Sequence, residues 1–282
     1  MHTERGHASW LEAGAGWPVI LLHAFPLNAD MWRPQLAEVP AGWRLICPDL
    51  RGFGPPLPPE GGSHVVGHEA SANGAISWLP PSGGSAVSVD DYAADILELM
   101  DCLEIDDAVI GGLSMGGYVT FAMHRQAPAR FTGMVLADTR PQADTPQARE
   151  GRVKLREVLA AKGPRGVADE MLPKLLSPAA GRDVVARTRM LIEGGDAAAI
   201  DAAIGVLMGR PDSTPGLAAI SCAALIVVGE HDEITPPADA RAMQQAIDRS
   251  TLCVIPGAGH LSSLEQPAAF SRGLGDFLLA RL

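Results

Sequence analysis

The stretch Gly111-Gly112-Leu113-Ser114-Met115-Gly116-Gly117 packs four glycines around one serine, where the apolar run Ala108–Ile110 gives way to a helix-like segment. The run reads as a buried strand, and the pattern from about Met115 reads as a helix. Ser114 then stands on the bend between them. So tight a bend holds its central residue in a strained conformation and lifts the hydroxyl above the sheet edge. Side chains two positions before and after would strike the neighbouring strand and helix, and Gly112 and Gly116 remove them. This is G-x-S-x-G in the strand–turn–helix setting that a nucleophilic serine requires. Phosphate-loop patterns do not fit: no G-x-x-x-x-G-K-[ST] follows, and G-x-G-x-x-G spacing is absent.

A serine hydroxyl is a weak nucleophile near neutral pH and needs a base. In this setting the acid and then the histidine are expected further along the chain. "LIVVGEHDEITPP" ends an apolar run and presents Glu230, Asp232 and Glu233, and "LCVIPGAGHLSSLEQP" ends the next and presents His260. Asp232 is the candidate that fixes the imidazole tautomer, and His260 the candidate that takes the Ser114 proton. His231, Glu230, Glu233 and Asp138, which also follows an apolar run, are rivals. An oxyanion intermediate needs hydrogen-bond donors. The amide of Met115 is one candidate, and the amide of Phe25, in "LLHAFPLNADMW", is the second. His23 is read as fixing that loop. Trp32, Arg140 and Trp78 are the candidate substrate contacts.

The runs at 18–22, 44–47, 108–110, 134–137, 225–228 and 252–255 are continuous and apolar, as strands buried on both faces are. Helix-period segments lie between them, including Asp90–Leu103, "PPADARAMQQAI" and the stretch from about Gln266 onward. This βαβα rhythm predicts a mostly parallel central sheet flanked by helices. Two regions depart from it. Residues 141–216 hold helix-like pieces and no strand-like run, so a small helical cap over the sheet is expected, with residues 1–140 and 217–282 forming the core. Residues 55–88 are rich in Gly, Pro and Ser, hold no Lys or Arg, and form a long loop insertion. Asn73-Gly74 suggests a hairpin turn within it. Its apolar residues Val65, Val66, Ile76, Trp78 and Leu79 suit one wall of an acyl pocket, while its flanking Gly/Ser runs suit a mobile, tolerated insertion, and both readings stand. His64 and His68 lack a third ligand, so no metal site is expected.

The 282 residues allow one large α/β domain, and the net charge of −11 repels phosphate backbones, which argues against nucleic acid. The four cysteines form no CxxC and read as reduced thiols. No apolar h-region opens the chain and no run is long enough to span a membrane, so a cytoplasmic protein is the expectation. Nothing in the sequence speaks to oligomeric state.

In order along the chain, "HAFPLNADMW", "CPDLRGFG", "GGLSMGGYV", "VVGEHDEITPP" and "IPGAGHLSSLEQP" resemble the α/β-hydrolase superfamily from about residue 16 onward. "VLADTRPQADTPQAR" and "GRPDSTP" are similar to its bacterial esterases and 3-oxoadipate enol-lactonase-like members. The resemblance implies a helical cap, no cofactor and carboxylic-ester chemistry on a small-molecule ester or lactone. A carbon–carbon bond hydrolase or a cofactor-free perhydrolase would use the same three residues, and a non-catalytic binding protein on this fold is the remaining alternative. Two departures stand out: Ala24 replaces a glycine usual in the early loop, and 55–88 is longer than its usual counterpart.

Overall fold

The computed structural model describes residues 6–54, 72–78 and 87–280, with only the backbone for 6–8 and 72–78. Their strands form one eight-stranded sheet. The apolar runs become β2 (Trp17–Leu22), β3 (Trp43–Pro48), β5 (Ala108–Leu113), β6 (Phe131–Ala137), β7 (Ala223–Gly229) and β8 (Ser250–Ile255), all parallel. Two further strands, β1 (Gly6–Gly14) and β4 (Ala72–Trp78), lie at one edge, where β1 pairs antiparallel with both β3 and β4. Across the sheet the order is β4-β1-β3-β2-β5-β6-β7-β8. Every residue of β5 is buried, which is why it reads as an unbroken apolar run.

Asn73 and Gly74 do not make a hairpin. They lie inside β4, opposite Leu11 and Trp10. The ladder offered by β1 outweighs the local turn preference of the pair. The rest of the 55–88 insertion, with Val65, Val66 and Leu79, lies outside the described residues, apart from 87 and 88.

The helices follow from their ends. α1 (Arg33–Leu36) continues a 3₁₀ turn at Ala29–Trp32. α2 (Val89–Cys102) begins with a capping box: the Ser88 side chain accepts from the Asp91 amide while Asp91 accepts from the Ser88 amide at 2.7 Å. α3 (Met115–Gln126) starts at Ser114. Between β6 and β7 come α4 (Pro146–Leu175), α5 (Arg182–Glu193) and α6 (Ala197–Gly209), where helices are expected from the sequence. α4 is broken at Gly163, whose φ is 65°, just before Pro164. α7 (Pro237–Ala246) opens on its expected proline, and α8 (Ser262–Glu265) and α9 (Pro267–Leu279) close the described chain. α2 packs on α3, while α1 packs on α8 and α9. Right-handed crossovers put those two groups on opposite faces of the sheet.

The chain steps from β2 out to β3 and then returns past β2 to β5. Strand order therefore reverses between β2 and β5, and open α/β sheets place their ligand crevice outside the carboxyl ends of the strands at such a point. Phe25 follows one of these strands and Ser114 the other. Among the described residues no helix is long and apolar enough to cross a membrane.

Candidate active site

Ser114 sits between β5 and α3 at φ 55° and ψ −110°. A non-glycine residue at positive φ is uncommon and costs roughly 1–3 kcal/mol, so the surroundings must hold it there. The Ser114 amide donates to the Ala137 carbonyl at 2.9 Å, and the Ser114 carbonyl accepts from the Gly117 amide at 3.0 Å. The flanking glycines answer a steric demand. A Cβ on Gly112 would lie 2.5 Å from the Gly116 backbone, and one on Gly116 would lie 2.3 Å from the Leu22 carbonyl oxygen. The helix is thus pressed against β5 on one side and β2 on the other.

His260, in the turn after β8, reaches Ser114 with Nε2 at 2.8 Å from Oγ. Its Nδ1 lies 2.8 Å from Asp232 Oδ2. A carboxylate only accepts, so Nδ1 carries the proton and Nε2 accepts from the serine hydroxyl. Asp232, in the turn after β7, accepts three further hydrogen bonds. The amides of Ile234 and Thr235 donate to Oδ1 at 2.8 and 2.9 Å, and Thr235 Oγ1 donates to Oδ2 at 2.7 Å. Burial alone pushes the Asp232 carboxyl up, but His260 and Thr235 outweigh it and hold the group below the usual carboxylate range. Ser114, Asp232 and His260 are 8%, 3% and 1% exposed.

Asp138 is brought near this set but serves a different geometry. It is fully buried at φ 42°, accepts from the Gly229 amide at 2.7 Å and from Ser262 Oγ at 2.5 Å, and makes no hydrogen bond to His260. Burial, with the charge of Asp232 adding to it, pushes its carboxyl well up. Two neighbouring carboxyls are thus shifted in opposite directions, Asp232 down and Asp138 up. Of the other rivals, Glu230 accepts from the Gly257 amide at the surface and His231 faces Glu230 at 3.9 Å.

The loop after β2 is fixed by His23, as its sequence suggests. Its Nε2 accepts from the Leu50 amide at 2.9 Å, so Nδ1 donates to the Ala24 carbonyl at 3.1 Å. Burial lowers its pKa to about 4, which keeps the ring neutral. The Ala24 amide donates to Met31 Sδ at 3.2 Å. Phe25 and Ser114 face the same cavity, of about 460 Å³. Met115 is the first residue of α3, where helix geometry leaves its amide without an intrahelical acceptor.

The cavity is roofed by α4 and α6, through Leu155, Met171, Leu175 and Leu207. Its polar wall carries Arg140 and Arg152, with Lys154, Lys174 and Glu170 beside them. Sequence reading did not foresee the buried Asp144 behind this wall. Arg210 Nη1 donates to it at 2.6 Å, Arg152 Nε at 3.3 Å, and Arg140 stands 4.0 Å away. The Arg210 guanidinium also lies 4.1 Å from the centroid of the Tyr118 ring. Asp144, Arg152 and Arg210 are too far apart in sequence for a local pattern to link them. Thr235 was more accessible to inspection, three residues after Asp232 in a turn that favours side-chain-to-backbone bonds.

Trp32 is a correction. It is wholly buried, does not line the cavity, and packs on Phe270 of α9 with ring centroids 5.7 Å apart. The 3₁₀ turn at Ala29–Trp32 swings it inward, so it is core. Trp78 ends β4, opposite Gly6, four strand spacings or ~19 Å from β5. Its side chain lies outside the described residues. A larger cavity, about 910 Å³, opens at the amino ends of β2, β3 and β7, with no serine or histidine on its wall among the described residues. No group of three or more metal-ligating side chains occurs among the described residues.

Comparison with known proteins agrees with this architecture. Residues 19–272 match the model of the alpha/beta hydrolase family. The chain is 34% identical to an esterase from Thermogutta terrifontis, whose structure superimposes with a TM-score of 0.85 over 98% of this chain and 94% of that one. It is 26% identical over 259 residues to 3-oxoadipate enol-lactonase 2 of Acinetobacter baylyi, covering 91% of this chain and 86% of that protein. An enol-lactonase from Burkholderia xenovorans, 24% identical, shares the fold at a TM-score of 0.78 over 97% of each chain. With its family model matched over most of its length, the chain belongs to the alpha/beta hydrolase family, and it is a hydrolase.

Proposed function

We propose that this hydrolase cleaves a small carboxylic ester or lactone through an acyl-enzyme formed on Ser114. The observation that carries the reading is the unbroken hydrogen-bonded line from Asp232 through His260 to Ser114, with 2.8 Å at each step. Ser114 Oγ attacks the carbonyl carbon while His260 Nε2 takes its proton. The oxygen that becomes negative is held by the amides of Phe25 and Met115. The carbon–oxygen bond then breaks, and His260 returns the proton to the leaving alkoxide. From a lactone that alkoxide stays tethered to the acyl group. Water enters, gives a proton to His260 and its oxygen to the acyl carbon, and Ser114 leaves protonated. Asp232 stays ionised throughout, fixing the ring and stabilising the imidazolium.

Residues 141–216 serve as a cap over the cavity and set the choice of substrate. Arg140 on the wall is a contact for substrate polarity. The Thermogutta esterase was described with malate, a dicarboxylate, bound, which supports a site that accepts carboxyl groups. Relatives also include a 2-hydroxymuconate semialdehyde hydrolase and non-heme chloroperoxidases, so the same three residues on this chain admit carbon–carbon cleavage or perhydrolysis. An ester or lactone ranks ahead of these because of the likeness to esterases and enol-lactonases.

The test pairs turnover with covalent labelling. Wild-type protein should hydrolyse p-nitrophenyl acetate and simple lactones, and a fluorophosphonate probe should label Ser114, as mapped by peptide mass. Ser114→Ala should lose the label and ~10⁴-fold or more in kcat while remaining folded. A label on another residue, or turnover that survives the substitution, would end this reading.

A further inference from the structure

We propose that Asp138 and Thr139 are positioning residues, a single dipeptide at the end of β6 that ties together the three loops bearing Ser114, Asp232 and His260. The inference rests on reading those three groups as the reacting set.

Each tie is a separate bond. Thr139 Oγ1 donates to the Ser114 carbonyl at 2.9 Å, across from the nucleophile loop. Asp138 accepts from the amide of Gly229, three residues before Asp232, at 2.7 Å. Its other oxygen accepts from Ser262 Oγ, two residues after His260, at 2.5 Å. The backbone joins in: the Ala137 carbonyl accepts from the Ser114 amide, and the Asp138 amide donates to Val227 in β7. One dipeptide therefore reaches the serine turn, the aspartate turn and the histidine turn at once.

The arrangement is costly, which argues against incidental packing. Asp138 is wholly buried and sits in the left-handed region at φ 42°. A buried carboxyl is tolerated only where its oxygens are satisfied. Here the satisfied oxygens lie on either side of the gap that the Asp232–His260 hydrogen bond spans. β6 lies between β5 and β7, so short side chains at its end lie beside the serine turn on one side and the aspartate turn on the other. Asp138 makes no hydrogen bond to Ser114, Asp232 or His260 side chains, so its action is through the loops that carry them.

The test uses the full chain on a neutral p-nitrophenyl ester. Asp138→Ala removes two ties and should lower kcat ~100-fold, the scale of a displacement of about 1 Å, with KM within about threefold. Asp138→Asn keeps a carbonyl for Gly229 and an amide for Ser262, and should restore most of that loss. Thr139→Val and Ser262→Ala each remove one tie and should lower kcat roughly tenfold, with Thr139→Ser restoring it. The low-field proton resonance of His260 Nδ1–H gives a readout that needs no turnover. It should broaden or vanish in Asp138→Ala and persist in Asp138→Asn. If wild-type protein turns over no ester, the functional reading fails, and this resonance still decides the tie. A folded Asp138→Ala protein with wild-type kcat and an unchanged resonance would overturn the proposal. So would equal damage from Asn and Ala, which would make charge rather than geometry the issue. If Asp138→Ala does not fold, Ser262→Ala and Thr139→Val decide, and wild-type kcat in both would overturn it.

Discussion

Beneath the cavity, Ser114, Asp232 and His260 are almost sealed from water and are joined side chain to side chain. Above it, α4 presents Lys154, Glu170 and Lys174 to solvent and breaks at Gly163, where an added Cβ would meet nothing within 4 Å. The floor is over-determined, since each loop there is held by bonds to at least one other. The roof is held by apolar contacts, by the buried hub at Asp144 and by more exposed ties such as Arg156–Asp201 and Arg189–Asp169. A chain built this way has little freedom to move Ser114, Asp232 and His260 and much freedom to change what lies over them. Substitutions in the floor should therefore act on kcat, and substitutions in the roof on the choice of substrate.

The sharpest way to break that contrast is at Asp232. Asp232→Asn keeps the shape of the turn but favours the wrong imidazole tautomer, so kcat should fall ~10⁴-fold, or about 5.5 kcal/mol in barrier height. Circular dichroism and melting should show a folded protein. Retention of more than a tenth of wild-type kcat would place the acid elsewhere and dissolve the floor as described.

Trp32 comes next. It lies in the floor's support against Phe270, away from the cavity. Trp32→Ala should lower unfolding free energy by about 3–5 kcal/mol in urea titrations, with KM of the folded fraction unchanged. A shift in KM with little loss of stability would return Trp32 to the substrate.

How far the molecule is legible in its sequence depends on how local each cause is. The parallel strands announce themselves because burial on both faces leaves continuous apolar runs. Ser114, Asp232 and His260 each stand just past such a run, and the elbow adds its own steric signature. β1 and β4 are less visible, for they lie antiparallel at the edge and the Asn73-Gly74 pair mimics a turn. Trp32 misleads because its partner, Phe270, is supplied by the far end of the chain. Asp138 reads as a spare acid because nothing nearby in sequence reveals Gly229 or Ser262. The hub of Asp144 with Arg152 and Arg210 is hidden for the same reason, as no periodicity joins its members.

His23 supports the floor through a charge-free ring. Its folded pKa is about 4 against an ordinary 6.5, so the unfolded chain binds the extra proton between those values. Its contribution is complete above pH 6.5 and is lost as pH falls toward 4, a change of about 3 kcal/mol. Urea unfolding of wild type and His23→Gln at pH 7, 5 and 4 should show the two stabilities converging as acid is added. Buried carboxyls such as Asp138 titrate in both proteins and cancel in the difference. Parallel curves would mean that His23 is already protonated in the fold or shares the unfolded pKa.

The smallest expected effect tests the polar wall between floor and roof. Arg140 lines the cavity with Ser114 and is a quarter exposed. The Asp144 carboxylate is 4.0 Å away and already bonded to Arg152 and Arg210, and the Arg140 charge also acts on Asp239, so Arg140 is only loosely paired. A guanidinium pairs a carboxylate with strong, directed hydrogen bonds, weakened here by partial contact with water. Arg140→Ala should lower kcat/KM about tenfold, roughly 1.4 kcal/mol, on an ester that carries a free carboxylate in its acyl part. The matched neutral ester should change by less than a factor of two. Arg152→Ala should act more on stability, because its charge is committed to the buried Asp144. If Arg140→Ala changes both esters by the same factor, the wall selects no charge at this position.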